Sequence, residues 1–141
     1  MSNTSNASQQ QQQVDVRRML RTAGPYPVEA FAFVREGLSF TVERVHLQPG
    51  SLEKTDHHIS GQQLCFGLRD LAIEKFGLLA PLVLSHWNIS RTDDFGRIVF
   101  AMIDAGLMSR TDEDTIEDFR AVYDFDEAFS RNELLGRIAT N

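Results

Sequence analysis

TDDFGRIVFAMIDAG, residues 92–106, carries the clearest pattern in the chain. Phe95, Ile98, Val99, Met102 and Ile103 recur at three- and four-residue steps, which makes one face of a helix apolar and leaves the other polar. Ser90 or Thr92 is placed to cap its first turn, and Gly106 to end it. A helix with a single apolar face must bury that face on neighbours, so the fold class turns on what lies to either side.

Upstream the neighbours also read as helices. LLAPLVLSHWNI (78–89) is short and nearly all apolar, a helix expected to be covered rather than to face water. SGQQLCFGLRDLAIEKFG (60–77) opens on Ser60 with Gln63 three residues on, the pattern of a capping box, and closes on Gly77. Leu64, Leu68, Leu71 and Ala72 form its core stripe. In PYPVEAFAFVREGLSFTVERVHLQPG (25–50), Pro27 and Glu29 suit a helix start. Phe31, Val34, Leu38, Val42 and Val45 form its stripe, with Phe33 and Phe40 on a second face. SLEKTDHH (51–58) reads as a solvated loop and VDVRRMLRTAG (14–24) as a short helix. Residues 1–13, MSNTSNASQQQQQ, hold no charge and almost nothing apolar, and are expected to form a disordered Gln-rich tail.

Downstream, residues 107–125 admit two readings. Phe119, Ala121, Tyr123 and Phe125 alternate at period two, which favours a hairpin; Ile116, Phe119 and Val122 also fit a helix. The hairpin is the preferred reading. It would give a mainly α single domain over 14–130, with a helix-turn-helix-like centre and a small two-stranded wing. Residues 131–141 are expected to be a C-terminal tail or a frayed helix.

At 141 residues the chain is one domain by length. One cysteine, Cys65, excludes an internal disulfide framework, which fits a reducing cytoplasm. No apolar run approaches the ~20 residues that span a bilayer, and no signal peptide is evident, so no membrane partner is expected. Net charge is −6, and its placement matters. Residues 1–111 balance, with 11 acidic and 11 basic side chains, while residues 112–141 hold nine acidic and three basic ones. A duplex-binding protein usually carries a basic stripe for the phosphates, and this charge distribution argues against nucleic acid.

Chemistry-bearing residues are few. In a DNA-binding helix-turn-helix the second helix lays its N-terminal residues on base edges; here these are Thr92, Asp93 and Asp94, with Arg91, Arg97 and Arg110 as the available cations. His57, His58, Cys65 and His86 are soft ligands, but without the close pairs typical of structural zinc. Cys65 sits between Leu64 and Phe66 on an apolar helix, which suggests packing rather than nucleophilic chemistry. No cofactor is implied. From Asp112 to Glu127 eight carboxylates face Arg120 alone, without the central glycine of a calcium loop.

HISGQQLCFGLRDLAIEKFGLL (58–79), TDDFGRIVFAMIDAGLMSRTDED (92–114) and EDFRAVYDFDEAF (117–129) together resemble a family of short uncharacterised bacterial proteins known mainly from planctomycetes and verrucomicrobia. The likeness spans about Tyr26 to Phe129 and implies one compact domain without implying an activity. Members of that family tend to be acidic where this chain has Phe66.

The functional expectation is a non-enzymatic protein-interaction module. Its docking region would be acidic and aromatic, with Asp124, Asp126, Glu127 and Phe66 meeting an unidentified, basic protein partner. Phe66 lies off the main stripe of its helix, and cover from the helix carrying Phe33 and Phe40 is expected. The alternatives are a nucleic-acid-binding regulator reading through helix 92–105, and a metal protein or enzyme using His58 and Cys65. In YDFDEAF (123–129) the aromatics are expected to pack inward while the carboxylates stay wet.

Overall fold

The computed structural model describes residues 16–46 and 58–139. The helices are α1 (16–22), α2 (Val28–His46), α3 (Gly61–Phe76), α4 (Ala80–His86), α5 (Thr92–Asp104), α6 (Phe125–Ala128) and α7 (Arg131–Ala139), with 3-10 turns at Gly77–Leu79 and Ile116–Phe119. The expected tail at 1–13 and the loop at 51–57 lie outside the described residues.

The capping box that opens α3 forms as the sequence suggests. Ser60 Oγ accepts from the Gln63 amide at 3.1 Å, and Gln63 Oε1 accepts from the Ser60 amide at 2.9 Å. Leu64, Leu68, Leu71 and Ala72 are buried, as is Cys65. Helix α2 runs antiparallel to α3: Glu36 meets Lys75, Gly37 lies at Leu68, and Thr41 lies at Gly67. Small residues let the backbones approach closely at this crossing. Phe31 and Val34 are buried on the expected stripe, Leu38, Val42 and Val45 half-buried, and Phe33 fills the second face against Phe76 and Trp87.

Helix α4 ends in a Schellman turn. Ile89 N–H donates to the Leu84 carbonyl, Asn88 N–H donates to that of Ser85, and Asn88 takes the left-handed φ of 63° that the motif requires. Its side chain donates to the Pro25 carbonyl at 2.6 Å, which ties the turn to the start of α2. Phe95, Ile98, Val99 and Met102 of α5 are buried and Ile103 is half-buried. The cap of α5 differs from the expectation. Asp94, not Ser90 or Thr92, accepts from the amides of Ser90 (2.8 Å) and Arg91 (3.1 Å). Gly106, at φ 77°, closes the helix with a second Schellman pair from Leu107 to Met102 and from Gly106 to Ile103.

Three expectations are corrected. Residues 107–125 form no hairpin, and no strand occurs among the described residues, so there is no wing. Thr111 and Thr115 open tight turns in which Asp114 and Asp118 accept from their amides, and Ala121 adopts a left-handed φ of 47° that breaks any strand. The apolar segment before α5 is not wholly covered, since Leu78, Leu79 and Leu82 face solvent. Of the two readings of the C-terminal stretch, tail or frayed helix, the tail is the one overturned, because Arg131–Ala139 is a docked helix. Leu134 of α7 is buried, and Arg137 donates to Asp70 at 3.0 Å. Asp70 also receives Arg44 at 2.6 Å and Arg69 at 3.0 Å.

Candidate interaction surface

The N-terminus of α5 is sealed from inside the molecule. Thr92 Oγ1 donates to the Phe119 carbonyl at 2.7 Å and accepts from the Val122 amide at 3.0 Å. Asp93 accepts from the Ala121 amide at 3.2 Å. These polar atoms take the place of a partner strand for the Phe119 carbonyl and the Ala121 and Val122 amides. Gly61 and Gly96 make room for the segment. A Cβ on either would stand 2.8 Å from a Cβ of residues 118–119. The sequence offers no sign of this, because a glycine inside a helix carries no marker of what approaches it.

Next along the chain, Tyr123 sends its hydroxyl to the Cys65 carbonyl at 2.8 Å. It stacks on Phe125, with ring centroids 5.8 Å apart at 19°, and Phe125 packs on Phe95 and Phe129. Phe129 is buried, and Tyr123 and Phe125 are largely covered. Burial pushes the Tyr123 phenol well above its ordinary range. Asp124 caps α6, accepting from the amides of Asp126 (2.8 Å) and Glu127 (3.2 Å). Asp124, Asp126 and Glu127 are all exposed. The aromatics of YDFDEAF therefore pack inward and its carboxylates stay wet.

Phe66 departs from the expected cover. It is 41% exposed and rests on Tyr123 at 5.6 Å, with the Arg69 guanidinium 5.0 Å from its ring centroid. Phe33 faces Phe76 and Trp87, and Phe40 lies under Arg44. Phe66 thus joins Tyr123 at the edge of the C-terminal segment.

The other candidate residues are not brought together. Arg91 borders a cleft with Asp93, Asp124 and Asp126, Arg97 lies beside α1 and Tyr26, and Arg110 stacks over Phe100. The three arginines make no common basic face, and the helix end that would meet base edges is occupied by Phe119, Ala121 and Val122. His58 pairs with Asp114 at 3.1 Å, whereas His86 lies at the other end of α3, near Trp87 and Asn88. Cys65 is fully buried, and desolvation, aided by the charge of Asp93, pushes its thiol up to about 12. Among the described residues no three His, Cys, Asp or Glu side chains are grouped to hold a metal ion, and no helix is long and apolar enough to cross a membrane. No family model, curated protein or solved structure matches the chain.

Proposed function

We propose that the chain is a non-enzymatic interaction module that presents the acidic edge of residues 124–127, flanked by Phe66, to a basic protein partner. The observation that carries this reading is the division within YDFDEAF. Its aromatics are spent on internal packing, while Asp126 and Glu127 face water without an ion pair to a basic side chain among the described residues. Carboxylates held on a packed scaffold lose little freedom on docking, and neighbouring like charges favour association with a cationic surface. Phe66, half-covered by Tyr123 and Arg69, adds an apolar anchor beside them.

The test is affinity purification with the tagged chain, with and without nuclease, beside an Asp126→Asn/Glu127→Gln variant. Asp124 is kept because it caps α6. A basic protein held through nuclease treatment, released by salt and lost from the variant is the expected result. Capture indifferent to the two substitutions would defeat the reading. Submicromolar binding of a defined duplex at physiological salt, abolished by Arg97→Ala, would replace it with the nucleic-acid regulator.

A further inference from the structure

Five of the eight large apolar side chains exposed among the described residues fall on three neighbouring elements. Leu78, Leu79 and Leu82 project from the 3-10 turn and the start of α4, and Leu135 and Ile138 from α7. The 3-10 turn and α7 pack on each other, and a Cβ added to Gly77 would meet Ile138 Cδ1 at 3.8 Å. Exposures of 47, 59, 66, 42 and 42% leave the surface of about two and a half free aliphatic residues in water. That is roughly 500 Å², at the upper end of the apolar patches that monomers show.

We propose that this face is the self-association surface of the chain, meeting the same face of a second copy across a two-fold axis. The area supports it: a stable interface takes ~800 Å² from each partner, a little over half of it apolar, and the patch supplies that share. The charges support it as well. The last turn of α3 carries Glu74 and Lys75, and α7 carries Arg131, Glu133 and Arg137, three basic and two acidic groups in all. A two-fold axis sets a face against itself, so a face of one sign would be repelled and a mixed one is not. The acidic edge at 124–127 could not pair with itself in this way.

Residues 1–15 contain only Met1, Ala7 and Val14 as apolar side chains, and residues 140–141 are Thr and Asn. Residues 47–57 join His46 to His58, at the end of α3 opposite Gly77 and about 24 Å away along the helix.

Sedimentation equilibrium of the full chain tests the proposal, with Leu82→Glu and Leu135→Glu as separate variants and circular dichroism confirming that each is folded. Leu79→Glu replaces either variant that is not. A monomer–dimer equilibrium is expected, its Kd raised about 30-fold or more by each substitution, a loss typical of a central interface position. A wild-type chain that stays monomeric at every concentration overturns the proposal, including one that binds lipid vesicles or a different protein through this face. A dimer unaffected by the glutamates overturns it too.

Discussion

Gly67 on α3 faces Thr41 on α2 so closely that a Cβ added to the glycine would stand 1.8 Å from the threonine hydroxyl. That hydroxyl is already committed, donating to the Gly37 carbonyl one turn back at 2.7 Å. Gly67→Ala raises helix propensity by about 1 kcal/mol yet forces the two helices apart. A net destabilisation of about 1–3 kcal/mol is expected, read as a lowered urea midpoint with an unchanged slope. A variant as stable as the parent would show that the crossing yields without cost.

Thr92 joins α5 to the C-terminal segment by one donated and one accepted hydrogen bond. Thr92→Val keeps the shape and leaves the Phe119 carbonyl and the Val122 amide without that partner. Stability should fall by about 1–3 kcal/mol. Hydrogen exchange at Val122 should quicken well before exchange in α3 does.

Asp70 gathers Arg44, Arg69 and Arg137. Burial pushes its carboxyl upward, but the Arg44 and Arg69 hydrogen bonds and charges outweigh burial and hold it below the usual range. A depressed folded pKa contributes stability that is complete above the unfolded value of about 3.9 and is lost as pH falls through the folded value. Asp70→Asn should therefore be less stable than the parent by about 1–3 kcal/mol at pH 7. The gap should close below pH 4, and a gap independent of pH would refute the assignment.

Cys65 should resist alkylation in the native state. Its thiol is buried and pushed up to about 12, so almost no thiolate exists at pH 7. Iodoacetamide should label it only in denaturant, at the rate of unfolding. Prompt labelling of the folded chain would return the catalytic reading of this residue to consideration.

Helices with their own punctuation were legible in the sequence. Ser60 and Gln63 announce α3, and Gly106 ends α5, because those signals are local. What the sequence hides is approach from a distance. Gly37, Thr41 and Gly67 look like weak helix residues until the facing helix is present. The alternation of Phe119, Tyr123 and Phe125 resembles a strand, but these rings reach the core through a 3-10 turn, the left-handed Ala121 and α6. Thr92 and Asp93 supply the hydrogen bonds that a second strand would have given. The candidate site was half legible: Asp124, Asp126 and Glu127 lie in water as their polarity implies, while Phe66 depends on Tyr123, 57 positions away.

The cover that Phe125 and Phe129 provide over Phe95 also orders events during synthesis. The ribosome completes α2 to α5 before it makes residues 119–129, so α5 emerges with Phe95 uncovered and Thr92 and Asp93 without their backbone partners. Domains assemble as units while the chain is made, and this one lacks its closing aromatics until late. A chain released after Asp118 would thus present a greasy helix end to chaperones, which the finished molecule hides behind Tyr123 and Phe125.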